Sequence, residues 1–100
     1  MLVNVLIPQP LRKLTGDQPK VTAAGQYLRE VIDDLEASYP GIKERLLDEE
    51  GNRRRFILFY VNGEDVRFGE DLDTPVNDGY EISIIPAVAG GSRRIYRRPY

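Results

Sequence analysis

Apolar and polar residues alternate from Leu2 to Ile7 (LVNVLI), the period-two pattern of a half-buried strand. Pro8 and Pro10 then end it, because neither can donate to a sheet ladder. Lys20 to Ala24 (KVTAA) repeats the alternation more weakly after the turn-rich LTGDQP, which predicts an antiparallel hairpin with a loose loop. Beyond Gly25 the period changes. Leu28, Val31, Ile32 and Leu35 fall at i, i+3, i+4 and i+7, while Arg29, Glu30, Asp33, Asp34 and Glu36 fill the other side, so an amphipathic helix is expected, stopped by Pro40 and Gly41. Ile42 to Leu47 suits a further short turn of helix that lays Ile42, Leu46 and Leu47 over an edge of the core.

The charged loop DEEGNRRR leads into FILFYVNGEDVRF, where Asn62-Gly63, both tolerant of positive φ, predict a tight reversal between a third and a fourth strand. Asp71 to Asp78 (DLDTPVND) is a turn-rich connection whose Leu72 and Val76 can tuck inward. A last strand is expected from Tyr80 to Val88, with Tyr80, Ile82 and Ile84 on one face and Glu81, Ser83 and Ile85 on the other. The order β-β-α-β-β-β predicts an α+β fold, a mixed sheet of about five strands with one main helix packed across one face.

Composition narrows the chemistry. The chain of 100 residues has room for one core, and its 41% hydrophobic and 30% charged residues suit a soluble globular domain. No run approaches the roughly 18 apolar residues of a membrane helix, and the start lacks a basic n-region and a long apolar h-region, so a cytoplasmic location without a membrane partner is expected. There is no cysteine and no histidine, which removes disulfides, thiolate and imidazole metal sites, thiol nucleophiles and imidazole bases. Asp33, Asp34 and Glu36, like Asp48, Glu49 and Glu50, read as solvated carboxylates and not as metal ligands. Arg53 to Arg55 precede a strand whose edge benefits from charge against unwanted pairing.

Charge is unevenly placed. Residues 1–91 hold ten of the 14 Lys and Arg and all 16 acids, a net −6, whereas Arg93, Arg94, Arg97 and Arg98 put +4 on the last nine residues. A body of that sign repels polyanions and argues against a nucleic-acid partner. Between body and tail stand Ala89, Gly90 and Gly91.

The strand hairpin, the helix, the later strands and the closing Gly-Gly together resemble the ubiquitin-like β-grasp sulfur carriers, the group of the molybdopterin-synthase small subunit and the thiazole-synthesis carrier. VIDDLEASYPGIKERLLD, FYVNGEDVRF and IPAVAGG are most similar in order and spacing to the carriers that feed sulfur to cysteine synthase. The resemblance covers residues 1–91, a sulfur-carrier domain. It leaves residues 92–100, SRRIYRRPY, as a basic extension expected to be disordered and to be cleaved. The β-grasp fold it implies makes the first and last strands central neighbours.

The resemblance implies a protein co-substrate and not an enzyme. An E1-like partner adenylates the terminal glycine carboxylate with ATP, sulfur replaces AMP, and the thiocarboxylate is donated to a biosynthetic enzyme, a cysteine-synthase-like PLP enzyme in the nearest group. Gly91 would bear the sulfur, Ala89, Gly90 and Gly91 would form the flexible tail, and no side-chain acid or base, bound cofactor or metal is required. Here the amide of Ser92 occupies the place of the reactive carboxylate, so a cut between Gly91 and Ser92, by a JAMM-type metalloprotease as in extended relatives, must come first. By strand parity, Phe59, Ile85 and Val88 are the expected partner-docking residues. The same Gly91 would serve the small subunit of molybdopterin synthase or a ubiquitin-like protein modifier, and both readings remain open at this point.

Overall fold

The computed structural model describes residues 1–87. Strands β1 (Leu2–Leu6), β2 (Lys20–Ala24), β3 (Ile57–Val61), β4 (Glu64–Asp65) and β5 (Glu81–Pro86) form one sheet in the order β2-β1-β5-β3-β4. β1 and β5 are parallel central neighbours, Asn4 facing Glu81 and Leu6 facing Ser83, and every other pair is antiparallel. Helix α1 (Leu28–Ser38) crosses one face, which is the expected β-grasp arrangement, and the short α2 (Ile42–Leu46) follows it.

The core lies between that face and α1. Val3, Val5, Val21 and Ala23 from the hairpin and Phe59, Val61, Ile82 and Ile84 from the other strands meet Leu28, Val31, Ile32 and Leu35, all buried. The helix was legible because its four apolar positions close one stripe; all four are buried while Arg29, Glu30 and Asp33 are exposed. Ile42, Leu46, Leu47, Leu72 and Val76 are buried as their pattern predicts. Leu28 N–H donates to the Thr74 carbonyl and Val76 N–H to the Gln26 carbonyl, at 2.9 and 3.0 Å, so the 71–78 connection is tied to the start of α1.

Three expectations change. The loose loop of the first hairpin contains a 3-10 helix, Gln9–Thr15, that buries Leu11 and Thr15. Thr15 Oγ1 donates to the Gln18 carbonyl at 2.9 Å, so its burial leaves no unpaired hydroxyl. The fourth strand is cut to two residues: Asp65 accepts from Arg67 N–H at 2.9 Å and its carboxylate grips the Arg67 guanidinium, turning Val66–Phe68 into a 3-10 helix. The reversal before it forms as predicted, with Asn62 at φ 51° and Gly63 at φ 87°. The described part of the last strand runs Glu81–Pro86, starting one residue later than the pattern suggests.

The α1–α2 junction rests on Glu36. Its carboxylate accepts from Lys43 N–H at 2.9 Å and from Gly41 N–H at 3.1 Å. These two backbone donors, Lys43 first, hold its pKa below the ordinary value of 4.5. A depressed folded pKa means that the unfolded chain binds more protons in this window, so the stabilisation is present above pH 4.5 and is lost as pH falls through the folded value. Glu36→Gln should therefore be less stable than the parent in urea unfolding near pH 6. The gap should narrow steadily on acidification below the ordinary carboxylate value; a gap independent of pH would show that the charge on Glu36 does not matter.

Candidate functional site

The reactive group expected from the sequence lies beyond the C-terminal end of β5, a strand in the middle of the sheet. Ile82 and Ile84 point under α1 and are 1% and 3% exposed, which locks the strand, while Ile85 points the other way and is 39% exposed. β1 pairs with β5 only as far as Ser83, so Pro86, which has no N–H to donate, is flanked by β3 alone, opposite Ile57. The last anchor is the Ala87 N–H bond to the Phe56 carbonyl, 2.7 Å. Val88, Ala89, Gly90, Gly91 and Ser92 lie outside the described residues.

Around this exit the open face of the sheet carries apolar side chains. Leu58 stands directly opposite Ile85, and Tyr60 opposite Ser83, which in turn faces Leu6. Leu58, Tyr60 and Leu6 are each partly buried, and Phe56, next to the last anchor, is 54% exposed. The Arg55 guanidinium lies 5.6 Å from the Phe56 ring centroid, a cation–π contact that puts a positive charge beside the apolar patch. Arg54 Nε donates to the Glu44 carbonyl at 2.7 Å. Arg53 is structural: it reaches Asp71 at 3.3 Å and the Ile57 carbonyl at 3.1 Å, filling an acceptor at the start of β3 instead of simply repelling neighbours.

One of the expected docking residues is wrongly placed by parity. Phe59 is 1% exposed, sits opposite the buried Ile84, and packs under α1. FILFYV is apolar at every position, so no alternation marks which residues face in; the register with β5 decides, and it turns Phe59 and Val61 inward and Leu58 and Tyr60 outward. Ile85 is on the open face, where its strand pattern put it. Leu58, Tyr60, Leu6 and Phe56 were missed, and the signal that finds Leu58 is its pairing with Ile85, a long-range fact.

The two acids held below their ordinary pKa, Glu36 and Asp65, serve local backbone donors and the Arg67 guanidinium. Among the described residues, no group of three or more His, Cys, Asp or Glu is arranged to hold a metal ion. No described helix is long and apolar enough to cross a membrane.

Comparison with known proteins gives this geometry a context. The model of the ThiS family matches residues 5–91. The sulfur carrier protein CysO of Mycobacterium tuberculosis (strain ATCC 25618 / H37Rv) is 53% identical over 93 residues, which is 91% of this chain and all of that protein. Among solved structures, the Amycolatopsis orientalis BexX/CysO complex contains a chain with a TM-score of 0.84 and 50% identity, covering 89% of this chain and 99% of that one. Mycobacterium tuberculosis CysO superposes with a TM-score of 0.82 at 51% identity, over 86% of this chain and 99% of that one.

Proposed function

The chain belongs to the ThiS family, and from that premise we propose that it is a sulfur carrier whose reactive group is the main-chain carboxylate of Gly91. The observation that carries the reading is the 53% identity to a sulfur carrier over that protein's whole length, together with a family match that runs through the second glycine. The folded body has no catalytic constellation of its own to offer among the described residues, and this chemistry requires none. A carboxylate oxygen attacks the α-phosphorus of ATP on an E1-like enzyme and pyrophosphate leaves. A sulfur nucleophile then attacks the acyl carbon of the mixed anhydride, AMP leaves, and a thiocarboxylate remains, nucleophilic near neutral pH.

Gly90 and Gly91 have no Cβ, so this peptide can enter a narrow channel and take backbone angles closed to other residues. Gly91 lies four residues beyond the anchor at Ala87, a reach of at most about 14 Å. The partner must therefore approach close to the sheet end, and Ile85, Leu58, Tyr60 and Phe56 are the surface it meets. The sulfur acceptor is a cysteine-synthase-like PLP enzyme, the reading that the CysO relatives favour over a molybdopterin-synthase subunit or a protein modifier.

Residues 92–100 follow the second glycine and block activation until the Gly91–Ser92 bond is cut, by a JAMM-type metalloprotease in this reading. With an E1-like partner and ATP, a chain ending at Gly91 should support pyrophosphate exchange and gain sulfur in place of oxygen at its new end. The full chain should give no exchange above background. Equal exchange by both forms would overturn the requirement for processing, and no exchange by either would overturn the carrier reading.

A further inference from the structure

Phe68 is 86% exposed, the most exposed large apolar side chain among the described residues. It ends the turn after β4 and stands at one wall of an open groove of about 640 Å³, whose other apolar walls include Val61, Val66, Pro75 and Tyr80. Glu64, Asp65 and Glu70 line the same groove. Asp65 is held by Arg67 at 2.8 Å, whereas Glu64 and Glu70 make no ion pair among the described residues. The Arg67 guanidinium lies 5.6 Å from the Phe68 ring centroid, so the groove joins aromatic walls to three carboxylates with one arginine at its edge, an excess of negative charge.

Two other hollows lack this combination. One is lined by Lys43 and Arg54 as well as acids, and its Glu36 is committed to backbone donors. In the other, Asp71 and Asp73 are paired with Arg53 and Arg29.

The complement of the first groove is present in the chain's own sequence. Ile95-Tyr96-Arg97-Arg98-Pro99-Tyr100 brackets two adjacent cations with apolar and aromatic side chains. Val61, in the groove wall, is four residues along β3 from Ile57, which faces Pro86, so the groove begins about 13 Å from the exit of β5. Tyr96 lies nine residues beyond Ala87, a contour of about 30 Å, which is enough to turn and reach it. A tether of this length holds its end at an effective concentration on the order of millimolar, so a contact too weak to join separate molecules is populated within one.

We propose that residues 95–100 fold back into this groove, with Tyr96 and Tyr100 against Phe68, Pro75 and Tyr80, and Arg97 and Arg98 facing Glu64 and Glu70. This docking does not depend on the sulfur-carrier reading.

The test uses the full chain, and the absence of cysteine makes it clean: a nitroxide on Pro99→Cys is the single label. In amide spectra at about 0.1 M salt, signals of Val66, Gly69, Glu70 and Tyr80 are expected to broaden. Broadening should be lost at about 1 M salt, where the screening length falls from ~10 to ~3 Å. It should be lost equally in Glu64→Lys/Glu70→Lys and in Arg97→Glu/Arg98→Glu, the second of which leaves residues 1–87 unaltered. Broadening confined to residues 84–87, centred on Asp33 and Asp34, or insensitive to both reversals overturns the proposal. So does broadening transferred to an isotope-labelled chain without the nitroxide, which would mean docking on a second copy.

Discussion

Phe59→Ala is expected to destabilise the fold by about 3–5 kcal/mol, the usual result of emptying a buried phenylalanine site. The ring is 1% exposed, on a strand paired to β5 and β4, and faces α1, so its removal opens a cavity at the centre of the core. Against a total of about 5–15 kcal/mol for a natural domain, this is a large share. For a domain of this size it corresponds to a fall in melting temperature of roughly 15–30 °C in a scanning calorimeter. Leu58→Ala, one residue away on the open face, should cost about 1 kcal/mol or less. Equal losses at the two positions would show that the inward and outward assignment of β3 is wrong.

The second large effect is on partner encounter. Leu58→Asp and Ile85→Asp each place a charge in the patch beside the exit of β5, where the two side chains stand opposite one another. Burying one such side chain in an interface contributes about 1.5–3 kcal/mol, and each 1.4 kcal/mol is tenfold in affinity. With the processed chain as substrate, the KM for the proposed E1-like partner should rise about 10–100-fold while kcat at saturation changes little, because Gly91, the residue proposed to react, is untouched. Stability should fall by about 1 kcal/mol or less, since both sites already meet solvent. An unchanged KM in both variants would remove this face from the encounter. Phe59 and Leu58, adjacent residues of β3, thus carry opposite effects, one on stability and one on partner encounter, separated only by which face of the sheet each meets.

Periodicity by itself determined the helix, the first hairpin, the Asn62-Gly63 reversal and the inward set of the last strand, because each of these is written in local spacing: Leu28, Val31, Ile32 and Leu35 at helical intervals, Ile82 and Ile84 at intervals of two. The Gly-Gly phrase and a composition without histidine or cysteine are likewise the sequence grounds on which Gly91 is proposed as the reactive end. Tertiary structure alone decided the rest. FILFYV carries no alternation, so only its pairing with β5 turned Phe59 in and Leu58 out. Val66 to Phe68 looked like strand until the Asp65 carboxylate closed on Arg67 and ended the ladder. The groove beside Phe68 joins Val61 and Glu64 to Pro75 and Tyr80, which no spacing rule connects. Local patterns record what a residue prefers; register and long-range contact determine which of two permitted faces it occupies.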